Sequence, residues 1–433
     1  MPISVRKRSA FCYTMKYMRN YPFLLPKLLP VGALYEQFRL TFGKRFNHNT
    51  LTPVWYGFDK CPADTKNEKL PFESQWYHIA RPLYLQEQVF YNLANALRVN
   101  RYVKGFAFIF FMGVGDYLYT TPLWGELRKR FPHAAFYGYV SQEYDRTNSP
   151  LVKGLLDSNP NFDKVFYFNG RPHPSLWKNY DYADVLKQLP AGFVAVPVYY
   201  EYGVHVLHRV NSVFETFGLP VPKEPPVPQL YFPPTPAPIV EQALQTVREK
   251  AQGKKGVVYL QLDARATAYS YPHIKQLAQG LIAAGYLVVS VSKGGPLDNP
   301  DYLELDLKQF SINQTWHLLS LIKQEFALYI ICVASVSFAA SAALGVPALG
   351  LQHWREAAVK HLLYPNITVL SSVKYPTVPE DKQIYAPKGT WRWAALRKNE
   401  GGFMGWVRCV LNREVDYEPD FVLHSFEEMV EPK

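Results

Sequence analysis

The stretch FAFIFFMGVGDYLYTTPLWGELRKRFPHAAFYGYV, Phe106 to Val140, decides the fold class. Its opening run, Phe106–Met112, is short and uniformly apolar, as a strand covered on both faces of a parallel sheet must be. GVGD breaks that run, TTPLWGELRKRF carries a helical pattern ending before Pro132, and Ala134–Val140 is apolar again. Strand, glycine turn, helix, strand is the unit of a parallel sheet, because parallel neighbours need a crossover connection.

Outward from this unit the alternation continues. LVKGLLDSN reads as a helix, KVFYF as a third strand and GFVAVPVYY, residues 192–200, as a fourth. Pro220 to Pro238, PVPKEPPVPQLYFPPTPAP, is nearly half proline. Such a run cannot join a helix or a central strand, and it reads as a stiff spacer with few contacts, open to proteolysis. A second series follows it: helix IVEQALQTVREKA, strand Gly256–Leu262, helix PHIKQLAQGLIAAG, strand Tyr286–Ser292, helix NQTWHLLSLIKQ, strand FALYIICVA, helix SFAASAALG and strand VPALGLQ. The expected organisation is an α/β chain with an N-terminal extension (1–102), a first Rossmann-type domain (103–219), a linker (220–238), a second Rossmann-type domain (239–371) and a C-terminal tail (372–433). In the extension Leu85–Leu97 has helical apolar spacing, and in the tail WRWAALRKNEGGFMGWVRCVL suggests a final amphipathic crossover helix.

A chain of 433 residues suits two or three domains at roughly 100–200 residues each. The net charge of +11 is concentrated in residues 1–50, where nine Lys and Arg face the single acid Glu36. Such an arm is either solvated or drawn to an anionic membrane surface; a nucleic acid is the weaker expectation, though the basic aromatic element Trp391, Arg392, Trp393, Arg397 and Lys398 keeps it open. Tyr21–Leu34 is too short and too broken by proline to span a bilayer, and no secretory pattern is present. Cys12, Cys61, Cys332 and Cys409 are far apart and form no C-x-x-C pair, which argues against a metal site or a disulfide framework. Free thiols point to a cytoplasmic protein, with the basic arm allowing peripheral contact with the inner membrane, and no metal or cofactor is expected. No G-x-x-x-x-G-K-[ST], H-E-x-x-H or G-x-S-x-G motif occurs.

Five elements in order carry a resemblance: Gly115–Asp116, Thr121–Pro122, Leu127–Arg128 with Phe131–Pro132, Asn159–Pro160, and Asp163 with Val165. Together they resemble the N-terminal signature of glycosyltransferase family 9, the ADP-heptose:lipopolysaccharide heptosyltransferases. In the second half, YPHIKQLAQGLIAAGYLVVSVSKGGP and SAALGVPALGL are similar to that family's donor-side elements. The resemblance implies a GT-B-like fold, two Rossmann-type domains with parallel sheets facing a central cleft. It also implies an inverting transfer from a nucleotide sugar to a glycan or lipopolysaccharide-type acceptor.

Under that resemblance Asp116 is the catalytic base, with the helix N-cap as its bland alternative. Gly115 permits close backbone approach, while Thr120 and Thr121 bond an acceptor sugar or simply the helix start. The donor side departs from the family. Where the family has D-S/T-G-x-x-H, this chain has Ala334, Ser335, Val336 and Ala339; Tyr269 replaces a basic residue, Tyr271–Pro272 a Trp-Pro pair and His353 a glycine. Arg265, Lys293, Gly294 and Gly295, at strand ends, are the groups left to meet a diphosphate, with Ser335 and His353 beside them. Two readings stay open: a sugar transferase with an altered donor pocket, and a catalytically inactive binding or structural protein on the same scaffold.

Overall fold

The computed structural model describes residues 103–110, 114–141, 154–168, 188–198, 209–217, 219–220, 222–224, 226–264, 270–291, 297–333, 336–352, 364–371, 380–385 and 415–431. They form two α/β lobes, each on a sheet whose strand pairs are all parallel.

The first lobe contains β1 (Gly105–Phe110), α1 (Val114–Arg130), β2 (Ala135–Ser141), β3 (Lys164–Phe168), β4 (Phe193–Val198) and α2 (Arg209–Thr216), with strand order β3-β2-β1-β4. Side chains alternate across a strand, so Phe106, Phe108 and Phe110 share one face of β1, and all three are fully buried. The Phe108 and Phe110 rings meet Trp124 of α1 at 4.8 and 5.5 Å. Each such aromatic pair adds roughly 0.5–1.5 kcal/mol beyond its burial.

Much of the sequence signature in this lobe is a clasp. Arg128 of α1 donates to the Asn161 carbonyl at 2.9 Å, the Ala134 carbonyl at 2.7 Å and Asp163 Oδ2 at 2.5 Å, and its guanidinium lies 4.0 Å from the centroid of the Phe136 ring. Asp163 Oδ2 also accepts the Phe136 N–H at 2.7 Å. Asn159 is buried, and its Oδ1 accepts from the Asn161 backbone at 3.0 Å, shaping the turn that presents Asp163. Partial burial would raise the Asp163 pKa, but the Phe136 N–H and the Arg128 guanidinium outweigh it and hold the carboxyl below its ordinary value.

The second lobe contains α3 (Pro238–Lys250), β5 (Val257–Gln261), α4 (Ile274–Ala283), β6 (Leu287–Ser290), β7 (Tyr302–Glu304), α5 (Ile312–Glu325), β8 (Leu328–Val333), α6 (Val336–Leu344), β9 (Ala348–Leu351), β10 (Ile367–Ser371), β11 (Gln383–Tyr385) and α7 (Pro419–Val430). Their order is β11-β10-β9-β8-β5-β6-β7. Period-two alternation sends Val257 and Tyr259 of β5 into one core and Val258 and Leu260 into another, the latter shared with α4 and α7.

Local chemistry explains the ends of these helices. Ser311 and Gln314 close a reciprocal capping box at the start of α5. Gly345, with φ 61°, ends α6: Val346 N–H donates to the Ser341 carbonyl and Gly345 N–H to the Ala342 carbonyl, a Schellman pair. Gly350 of β9 lets α6 lie close, since a Cβ there would sit 2.2 Å from the Phe338 ring. Gly350→Ala is therefore expected to cost about 1–3 kcal/mol in urea unfolding. An unchanged midpoint would show that α6 can shift aside.

Several sequence expectations need correction. Residues 154–158 form a turn rather than a helix. The second lobe does not stop at 371: β11 pairs with β10, and α7 packs against α4, β9 and β10. The described C-terminal helix thus belongs to the second lobe and is not a crossover to the first. The helices expected at Leu85–Leu97 and over the WRWAALRKNEGGFMGWVRCVL stretch lie outside the described residues.

The proline-rich segment is also not the contact-poor spacer the sequence suggests. Gln229 N–H donates to Thr121 Oγ1 at 2.8 Å, Tyr364 Oη donates to the Pro226 carbonyl at 3.2 Å, and the Phe232 ring stacks on His317 of α5 at 4.7 Å and 4°. Burial lowers the His317 pKa. The folded chain therefore binds this proton less readily than the unfolded chain, whose histidine titrates near 6.5. Stability from this group is present above that value and lost as pH falls from it through the folded pKa. Comparing Tm at about pH 7.5 and 5 should show a smaller acid loss in His317→Gln than in the wild type; identical losses would remove His317 from the pH response.

Candidate active site

Open parallel sheets bind ligands beyond the carboxyl ends of their strands, where the strand order reverses. In the first lobe that reversal lies between β1 and β4, and in the second between β5 and β8. The helices that begin just beyond these reversals are α1, after β1, and α6, after β8, and they pack against each other. The contact between α1 and α6 therefore brings the two reversal points together.

Asp116 stands in the first turn of α1, immediately beyond the carboxyl end of β1, and is partly exposed. It is inside the helix and not its N-cap, so the bland alternative changes from a capping bond to an interaction with the helix dipole, worth about 0.3–1 kcal/mol. Gly115 lies beside it in the same turn.

Thr120 and Thr121 do not face open space. Both are buried, and their hydroxyls donate to the Tyr117 and Leu118 carbonyls, each at 2.7 Å. Pro122 has no N–H to bond the carbonyl four residues back, that of Leu118, and the Thr121 hydroxyl supplies the missing donor. Thr121 also receives the Gln229 N–H. Of the two expectations for Thr120 and Thr121, an acceptor sugar or the helix start, the bonds formed are those to the first turns of α1.

Arg265, Lys293, Gly294, Gly295, Ser335 and His353 lie outside the described residues. At the second lobe's reversal point the described residues include a polar pair that sequence reasoning missed. Ser337, at the start of α6, donates to Gln261 Oε1 at the end of β5 at 3.1 Å, spanning the β5/β8 reversal. Gln261 Nε2 donates to the Asp263 carbonyl at 2.5 Å. Ala339, at the position where the resemblance expects histidine, is fully buried within α6, whose residues from Ser337 to Ala342 are all buried. Among the described residues no group of three or more His, Cys, Asp or Glu could hold a metal ion, and no helix is long and apolar enough to cross a membrane. Cys332 is free and fully buried, which pushes its thiol pKa up and leaves it unreactive.

One cavity of about 700 Å³ lies elsewhere, lined by Pro122, Glu126, Lys129, Phe214, Val227 and Gln229. The lining residues of α1 begin at Pro122, six residues or ~9 Å along the helix from Asp116, so the cavity lies beside the body of α1 and not at the end of β1.

No protein-family model matches the chain, and no curated protein matches it significantly. Solved structures similar to it include a glycosyltransferase family 9 protein from Veillonella parvula, 13% identical with a TM-score of 0.43, covering 65% of this chain and 85% of that one. Another is E. coli ADP-heptose lipopolysaccharide heptosyltransferase II, 14% identical with a TM-score of 0.41, covering 75% and 98%. A third is the dodecameric iron-containing glycosyltransferase TibC of enterotoxigenic E. coli, 10% identical with a TM-score of 0.40, covering 76% and 77%. At these identities and TM-scores the likeness assigns no residue a role, and the functional reading is built on this chain's own residues.

Proposed function

We propose that the chain is an inverting glycosyltransferase that moves a sugar from a nucleotide sugar to a hydroxyl of a glycan or lipopolysaccharide-type acceptor. The observation that carries this reading is the seat of Asp116: a partly exposed carboxylate in the first turn of the helix that follows β1, beside the first lobe's reversal point. In the proposed step the acceptor oxygen bonds the anomeric carbon as the bond from that carbon to the nucleotide diphosphate breaks. The acceptor proton passes to the Asp116 carboxylate, and the bonding electrons leave with the diphosphate. A single displacement inverts the anomeric centre. On the donor side Gln261, Ser337 and Asp263 suit sugar or ribose hydroxyls, while Arg265 and Lys293 are the proposed diphosphate partners, and Gly294, Gly295, Ser335 and His353 are further donor contacts proposed from the sequence. The test is a transfer assay read by NMR: released nucleotide diphosphate should equal new glycoside, with the opposite anomeric configuration. Retained configuration, or nucleotide release without glycoside, would overturn it.

A second reading is a non-catalytic sugar- or protein-binding relative, the alternative raised by Ala339, at the position where the resemblance expects histidine. Nucleotide-sugar binding without turnover would support it. The basic residues 1–50 suit a peripheral role at an anionic membrane surface in the cytoplasm. Binding to acidic liposomes should then fall steeply between low salt and ~0.1 M, where the screening length is about 10 Å, and vanish on deleting residues 1–50. Indifference to acidic liposomes at low salt would exclude that role.

A further inference from the structure

The segment joining the lobes is fastened to both of them. On the first lobe, Gln229 N–H bonds Thr121 Oγ1 of α1, and Thr121 is itself fixed to the Leu118 carbonyl. On the second, Pro226 accepts from Tyr364 Oη, and Phe232 lies flat on His317 of α5. Tyr364 and His317 are both buried, so these partners cannot follow the segment if it lifts away. Leu230 and Phe232 pack on a hydrophobic cluster that is itself continuous between the lobes, containing Phe106 and Trp124 from the first and Tyr259, Trp316 and Phe338 from the second. The α1–α6 contact adds a direct connection. A helix apolar on every side has to be buried on every side, and α6 meets that need with its own sheet at Gly350 and with α1 of the other lobe.

We propose that residues 226–232 act as a strap that, with the α1–α6 contact, locks the two lobes into one cooperative folding unit. Neither lobe then opens independently of the other. This does not depend on the transferase reading, since the ties involve none of the proposed reacting groups.

Native-state hydrogen exchange on the full-length chain tests it. Amides of β1, Gly105–Phe110, and of β5, Val257–Gln261, should exchange through a common opening. Phe232→Ala, which removes the stack on His317 of the second lobe's α5, should speed exchange in both strands by the same factor, about tenfold or more. Thr121→Val should likewise speed both strands, whereas Thr121→Ser, which keeps the hydroxyl, should not. If Phe232→Ala leaves β1 within about twofold while β5 accelerates, or if Thr121→Val speeds β1 alone, the lobes are independent and the lock is wrong. Should Phe232→Ala fail to fold, the two Thr121 variants give the same comparison.

Discussion

Replacing Asp116 with Asn is expected to lower turnover by roughly 10²–10⁴ while barely changing stability. Asn keeps the shape of the side chain and most of its hydrogen bonding in the first turn of α1, but it cannot accept the acceptor's proton. Asp116 lies inside the helix and is not its cap, and neutralising it removes its interaction with the helix dipole, about 0.3–1 kcal/mol. Steady-state kinetics and thermal unfolding on the same preparations separate the two effects. A variant with wild-type turnover would show that the carboxylate serves only the helix. A variant that loses both activity and several kcal/mol would place Asp116 in the fold and not in the reaction.

The second large effect is expected at Arg128, and it is an effect on stability. Arg128→Ala removes three hydrogen bonds from a charged donor, one of them an ion pair with Asp163, together with the contact over the Phe136 ring. It leaves the Asn161 and Ala134 carbonyls without that donor. The expected cost is about 2–4 kcal/mol, measured by urea unfolding. Arg128→Lys keeps the charge but cannot reach all three acceptors, and should recover less than half. The same change should release Asp163, whose carboxyl is held below its ordinary value. A depressed carboxyl stabilises above its unfolded pKa of about 3.9, and that stabilisation is lost as pH falls through the folded value. The acid limb of the stability profile should therefore be shallower in Arg128→Ala. A loss under about 0.5 kcal/mol would mean that water replaces the clasp.

The fold was legible where burial forces a composition. β1, β5 and β8 are covered on both faces, and FAFIF, VVYL and YIICV show it as unbroken apolar runs. The three-residue strands β7 and β11 stand at sheet edges, too short for periodicity to register. Asp116 could be singled out because its glycine-flanked turn follows a strand. The sequence could not decide between an acceptor and the helix start for Thr120 and Thr121, because the bond Thr121 makes depends on the carbonyl that Pro122 leaves without a donor. Gln261 and Ser337 could not be found from sequence: both are uncharged, they are 76 positions apart, and only the strand order makes them neighbours. The proline run misled for a related reason. Proline excludes helix and central strand, but nothing in composition says that Gln229, Phe232 and Pro226 have partners waiting on both lobes.

Ligand-dependent thermal stability of the full-length wild-type chain, measured with ADP-, UDP- and GDP-sugars in parallel, bears most directly on the proposal that the reversal-point cleft binds a nucleotide sugar. A ligand that binds only the folded state adds about 2.7 kcal/mol at a hundredfold excess over its Kd, a shift of several degrees in Tm. We predict such a shift for one nucleotide class, with free sugars and unrelated nucleotides giving none. A flat Tm across every nucleotide sugar, at concentrations up to several millimolar, would contradict it.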